Sequence, residues 1–227
     1  MDTDDQFIND FDQLSELAEA GKFQEALEKH IWFHEASREM PGMGGVRLSY
    51  ALDIWLGLAK KHEPAMKALV DLRDKNKKLL LDGKGGFDNF HDLSALNLTL
   101  ENVDDTFKVF IEIHNDYPEQ AKNYFHVVED LLVERKAYDI CEQYLQDPVQ
   151  KYFQIEHLHK TNIELTKSNP ELDSNDFKEY TEQSFVNGVC QLIEILIALK
   201  KREVAEEVQQ LALKHYHHES IERAMCS

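Results

Sequence analysis

The sequence contains little cysteine, proline and glycine, and each shortage excludes a class of protein. Its three cysteines, Cys141, Cys190 and Cys226, form no CxxC pair. Neither a disulfide framework nor a zinc ribbon is therefore expected, and free thiols are typical of a reducing compartment. Only five prolines and nine glycines occur among 227 residues. Because Leu, Ala, Glu and Lys are plentiful instead, the composition favours helices.

A long hydrophobic run and an excess of cations are also missing. The most apolar segment, residues 189–199, is too short to span a bilayer and contains Gln191 and Glu194. The acidic N-terminus has no signal-peptide pattern, so a cytoplasmic location is expected. The 43 acidic and 25 basic residues give a net charge of −18. Such a surface repels phosphate, which argues against nucleic acid and membrane and favours a neutral or basic protein or peptide partner.

Apolar residues recur at three- and four-residue spacing along most of the chain, and no strand-like alternation stands out. This pattern predicts an all-α fold of about ten antiparallel helices in a single domain over residues 1–227. The polar segment 167–176 is a possible loose linker within it. New helices are expected to begin at four prolines, because proline suits a first turn and breaks a helix interior; these are Pro64, Pro118, Pro148 and Pro170.

The stretch EAGKFQEALEKH, residues 19–30, has the features of a tight turn between two packed helices. Gly21 permits the sharp exit from the first helix, and Phe23 packs in the corner. Ala26 is small enough for the two helices to approach closely, and Leu27 faces the next unit. In these residues the stretch resembles the turn and second-helix start of a tetratricopeptide repeat (TPR).

Two later stretches repeat parts of this pattern. Residues 134–145 place Tyr138 and Cys141 where the first stretch has Phe23 and Ala26, and residues 199–213 place Ala205 at the small position. Their separations depart from the TPR period of about 34 residues, so the array is irregular. The resemblance implies a right-handed α-α superhelix whose concave groove binds a peptide or helix. It implies a non-enzymatic interaction module or adaptor without a cofactor.

The stretch EKHIWFHE, residues 28–35, carries two histidines four residues apart. His30 and His34 could chelate zinc from one helix face, but the HExxH motif needs a glutamate where Ile31 stands. We therefore predict that both histidines are packed and bind no metal. On this interpretation they continue the inward stripe of the helix, which comprises Phe23, Ala26, Leu27, His30, Ile31 and His34.

Two residues are candidates for contact with a partner. Trp32 lies off the inward stripe, where it either covers a neighbouring helix or serves as an exposed anchor. Arg47 follows the glycine-rich loop 41–45, whose backbone could form an anion-binding nest ahead of a helix. An ordinary glycine loop is the alternative interpretation of that segment.

Two other functions compete with the adaptor interpretation. His91 and Asp92, with His62 before them and Asp130 after them, invite comparison with the all-helical HD phosphohydrolases, which bind metal. The apolar lead-in and the Gly-Lys that usually surround the HD pair are missing. A homodimeric structural protein that pairs through its C-terminal helices is the second alternative.

Overall fold

In a computed structural model the described residues are 3–40, 42–169 and 173–226. Within these ranges all regular elements are helices and no strand occurs, which confirms the all-α prediction. None of the helices in this part of the chain has the length and apolar character that crossing a bilayer requires. The chain divides into two compact units, Met1–Val128 and Glu129–Ser227. A single domain over residues 1–227 stays a prediction.

The first unit is a succession of helices in which neighbours along the chain pack together. Helix α1 packs on α2, α4 contacts both, and α5 packs on α4, α6 and α7. A 3₁₀ turn, Ser37–Glu39, extends α2, and α8 (Pro118–Glu134) begins in this unit. The other helices are α1 (Thr3–Glu19), α2 (Phe23–Ala36), α3 (Gly44–Leu48), α4 (Tyr50–Ala59), α5 (Glu63–Leu81), α6 (Phe87–Thr99) and α7 (Val103–Asp116).

The second unit is built around three long helices that pack on one another, α10, α11 and α12. Most of the apolar segment 189–199 belongs to α11, and five of its side chains are buried: Val189, Leu192, Ile193, Ile195 and Leu196. These five side chains place the segment at the centre of this unit. The helices are α9 (Tyr138–Tyr144), α10 (Pro148–Ser168), α11 (Asn175–Ala198), α12 (Arg202–His215) and α13 (Glu219–Arg223), followed by a 3₁₀ turn, Ala224–Cys226.

Three of the four prolines at which a helix was expected to begin lie in the described residues, and each is in the first turn of a helix. Pro118 and Pro148 are the first residues of their helices, and Pro64 is the second residue of α5. The Asp147 carboxylate caps α10, because it accepts hydrogen bonds from the next two free backbone amides at 2.9 and 3.1 Å. Pro170 lies outside the described residues.

The predicted loose segment 167–176 is only partly described. Helix α10 continues to Ser168 and α11 begins at Asn175, so helical residues occupy both ends of the segment. Residues 170–172 lie outside the described part of the chain.

Four pairs of consecutive helices are joined by turns of the same type. One residue adopts a left-handed backbone, and the next helix begins two positions later; these residues are Gly21, Glu101, Lys136 and Lys200, with φ of 74°, 55°, 56° and 60°. In each turn the following amide donates to a carbonyl five residues back, at 2.7–2.9 Å. This is the Schellman arrangement that satisfies the last carbonyls of a helix.

A small buried residue follows each of these turns, five positions after the left-handed residue. These residues are Ala26, Thr106, Cys141 and Ala205, and none is more than 3% exposed. The predicted close contact at three of them is consistent with this burial, whereas Thr106 was missed. The Thr106 hydroxyl accepts a hydrogen bond from the Asn97 amide at 3.0 Å, so its polar group is satisfied inside. A small side chain lets each new helix approach its predecessor closely.

We expect Ala26→Leu to lower the free energy of unfolding by roughly 1–3 kcal/mol, because the added methylenes must displace a packed core. Ala26 is fully buried with Leu27, Trp55 and Leu96. Urea denaturation followed by circular dichroism measures the effect. Gln24→Leu, on the exposed side of the same helix, is the matched control and should stay within about 0.5 kcal/mol. Equal curves for the two variants would contradict a close contact at Ala26.

Candidate functional site

Helix α2 presents an inner face on which both histidines are packed. His30 and His34 are 1% and 3% exposed, which confirms their predicted burial. Ile31 is 39% exposed, so its predicted inward position is wrong, and Phe33 takes that place. The reason is geometric, because the residue next to His30 lies about 100° around the helix, whereas residues three and four positions on return to the same face.

The inner-face histidines pack against Trp55 of α4. The rings of His30 and Trp55 are stacked, with centroids 5.5 Å apart and an interplanar angle of 21°. His34 meets the same indole edge-on at 6.3 Å. Burial lowers the pKa of His30 to about 4, so this imidazole is neutral near pH 7. The contact is one of aromatic packing.

Beyond Trp55, the inner face ends in a buried ionic cluster around Asp92 of α6. The fully buried carboxylate contacts the guanidinium groups of Arg38, in the 3₁₀ turn, and of Arg47, in α3. The His34 Nε2 atom lies 3.5 Å from the same carboxylate and 3.3 Å from Arg47. Burial acts to raise the pKa of Asp92, but His34, Arg47 and Arg38 outweigh it and hold that pKa below its ordinary value.

This Asp92 cluster joins four segments that are distant in sequence. One carboxylate holds the last turn of α2, the 3₁₀ turn, α3 and the middle of α6. Because the carboxylate and Arg47 are out of solvent, loss of one partner would leave an uncompensated charge inside the protein. The arrangement is therefore a structural cross-link.

The predicted partner contact of Arg47 requires an exposed guanidinium, and the structure does not provide one. Arg47 is 4% exposed and is paired with Asp92. Gly44 and Gly45 begin the five-residue helix α3, and Arg47 lies within it. The anion-nest interpretation of loop 41–45 is not tested by this arrangement and stays a prediction. No sequence pattern indicated the pairing of Arg47 with Asp92, because Asp92 lies on another helix.

Asp92, the aspartate of the HD pair, is not placed to bind a metal ion. Asp92 lies between two guanidinium groups, which oppose a metal cation. His91 contacts the Phe87 ring at 5.4 Å, His62 precedes α5, and Asp130 belongs to the second unit. Among the described residues no group of three or more His, Cys, Asp or Glu side chains could hold a metal ion.

The opposite side of α2 carries a compact group of exposed apolar and acidic side chains. Trp32 and Ile31 are 44% and 39% exposed. The Lys29 ammonium lies 4.6 Å from the centroid of the Trp32 ring and also pairs with Asp10 at 2.5 Å. The role of Trp32 as an anchor for a partner stays a prediction. We call this set the α2 outer face: Gln24, Glu25, Glu28, Ile31, Trp32 and Glu35, all exposed.

The second unit contains a smaller polar cluster between α10 and α12. His159 Nδ1 lies 2.9 Å from His215 Nε2, and His215 Nδ1 lies 3.4 Å from the Glu156 carboxylate. Phe185 of α11 stacks on His159 at 4.6 Å. Burial lowers the pKa of both histidines. The His215 side chain therefore faces His159 and Glu156 of α10.

We expect Asp92→Asn to lower the free energy of unfolding by about 3–5 kcal/mol, because two guanidinium groups would lose their buried counter-charge. Urea denaturation at pH 7 measures the loss. Asp88→Asn, an exposed carboxylate one turn earlier on α6, is the matched control and should change stability by less than about 1 kcal/mol. If Asp92→Asn were as mild as its control, the cross-link interpretation would fail.

His30 should make the fold less stable as the pH falls. Below about pH 6.5 the unfolded chain takes up a proton at His30 that the folded chain, with a pKa of about 4, does not. The free energy of unfolding should therefore fall, by about 2 kcal/mol from this residue at pH 5. Urea denaturation of wild type and His30→Gln at pH 7.5 and 5 measures this: the loss should be smaller in the variant. The same loss in both proteins would rule out a neutral, buried His30.

The chain was also compared with known proteins. No protein-family model, curated protein or solved structure matches it. A functional interpretation of the site therefore depends on its own geometry and charge.

Proposed function

We propose that the chain is a non-enzymatic binding module whose α2 outer face docks a basic, amphipathic segment of a protein partner. The observation that carries the proposal is the exposure of Ile31 and Trp32, at consecutive positions of a helix that presents three glutamates on the same side. An exposed tryptophan next to an aliphatic side chain is the kind of anchor that dominates the energy of protein interfaces.

The charge around this anchor selects the partner. Glu25 and Glu28 make local contacts, with Lys22 at 3.2 Å and Gln24 at 3.1 Å. Glu35 has no ion-pair partner among the described residues. With a net charge of −18 on the whole chain, this surface attracts a cationic segment and repels an acidic one. A ligand helix with leucines on one side and lysines beside them would match both the apolar and the acidic groups.

The Asp92 cluster supports this role by holding α2 in place. His34 contacts Asp92 from the last turns of α2, only two residues after Trp32. A surface that is already ordered loses less conformational freedom on binding, which favours affinity.

The proposal includes a TPR-like architecture, in which helical hairpins build a right-handed α-α superhelix with a concave groove. The shared turns and the small buried residues that follow them support this part. The interval from Thr106 to Cys141 is close to the TPR period of about 34 residues. In such arrays helix surfaces of successive repeats form the binding surface.

The test is fluorescence anisotropy with a labelled amphipathic peptide of leucine and lysine. We expect Trp32→Ala to weaken binding at least about tenfold, because the anchor is removed. Glu35→Gln should weaken it less and should reduce its dependence on salt. A scrambled peptide of the same composition and a leucine–glutamate peptide should both bind poorly.

Tyr50→Ala is the matched control for the anchor. Tyr50 is 68% exposed and lies in the same unit, at the start of α4 and outside the α2 outer face. Its removal should leave peptide affinity unchanged. Equal losses for Trp32→Ala and Tyr50→Ala, or preference for the leucine–glutamate peptide, would contradict the proposal.

A further inference from the structure

A cavity of about 280 Å³ lies between α10 and α12 in the second unit. Its volume is close to the lower end of the range of small-molecule sites, which suits a fragment-sized ligand. The lining residues come from both helices: Tyr152, Phe153, Glu156, Leu211, Lys214 and His215.

One part of the wall is apolar and largely fixed. The Tyr152 side chain is buried, and its hydroxyl donates to the Leu211 carbonyl at 3.1 Å, so this group is satisfied by the protein. Phe153 is 44% exposed beside it. Two aromatic rings and an aliphatic side chain favour a ligand with a flat apolar body.

The polar part of the wall contains one carboxylate, which pairs with a lysine outside the lining, and one ammonium group. Glu156 is paired with Lys160 at 3.1 Å and with His215 Nδ1 at 3.4 Å. The other His215 nitrogen contacts His159 at 2.9 Å. Lys214 also lines the cavity, and its ammonium group has no ion-pair partner in the described part of the chain.

We infer that this cavity is a binding site for a small arylalkyl carboxylate, with the apolar body against Phe153 and Tyr152 and the carboxylate on Lys214. A single available ammonium group matches one negative charge. A dianionic phosphate ester would be a poorer match, because the described residues that line the cavity include no second free cation. The site does not involve α2 and is independent of the function proposed above.

The test is a two-dimensional NMR titration of the ¹⁵N-labelled full chain with phenylacetate. We expect saturable shifts at the amides of the lining residues, with a Kd on the order of 1 mM for a ligand of about ten heavy atoms. Phenylacetamide, which has nearly the same shape but no charge, should bind at least about fivefold more weakly. Benzylammonium should bind more weakly still.

Three variants separate the groups involved. Lys214→Gln should weaken the binding of phenylacetate by the same factor that separates phenylacetate from phenylacetamide in the wild type. The affinity for phenylacetamide should not change in this variant. Phe153→Ala should weaken the binding of both ligands, because it removes part of the apolar wall. Lys167→Gln, which removes an exposed lysine near the end of α10 outside the cavity lining, is the matched control and should change neither.

Three results would overturn the inference. The first is the absence of saturable shifts at the lining residues with phenylacetate. The second is equal binding of phenylacetate and phenylacetamide, or an unchanged affinity in Lys214→Gln, since either would mean that charge is not recognised. The third is tighter binding of benzylammonium, which would make Glu156 the recognition group. Thermal melting of each variant checks that a loss of binding is not a loss of fold.

Discussion

The first unit depends on one buried carboxylate and the three side chains that surround it. Asp92 has no access to solvent, and it holds together segments that the hydrophobic core alone would orient less exactly. Apolar contacts are non-directional, whereas a carboxylate with guanidinium partners demands defined angles and distances. The last turns of α2, the 3₁₀ turn and the short helix α3 therefore have one arrangement against α6. The two faces of α2 follow from it, with packed histidines inside and Trp32 outside.

A second constraint recurs in both units, namely the close approach of a helix to the one before it. The left-handed residue turns the chain within two positions, and a small residue five positions later lets the new helix pack closely. Glu101, Lys136 and Lys200 adopt this backbone without being glycine, at a conformational cost of about 1–2 kcal/mol each. The amide-to-carbonyl hydrogen bonds of the turn and the buried contact beyond it offset that cost.

The sequence predicted local structure well and long-range pairing poorly. Helical periodicity and first-turn prolines indicated the elements, because these signals depend on residues within one or two turns of each other. Gly21 and Ala26 revealed the first hairpin for the same reason. Thr106 was missed, since its turn uses Glu101 in place of glycine and its own side chain is polar and β-branched, unlike the alanines and the cysteine at the other three positions.

At the candidate sites, too, local features were predictable and long-range pairs were not. Burial of His30 and His34 followed from their spacing on α2, although the neighbouring Ile31 was assigned to the wrong face. The pairing of Arg47 with Asp92 could not be inferred, because no local pattern links two residues on different helices. The contact between His159 and His215 was hidden likewise, since it requires α10 and α12 to pack side by side.

Amide hydrogen exchange in Arg38→Gln tests most directly whether the Asp92 cluster holds α2 in position. Arg38 is the more exposed of the two arginines, so its removal weakens the cluster without leaving the carboxylate unpaired. The account predicts faster exchange in the last turns of α2 and in α3, with little change in α5 and α7. Uniform acceleration across the first unit, or unchanged exchange in α2 and α3, would contradict it.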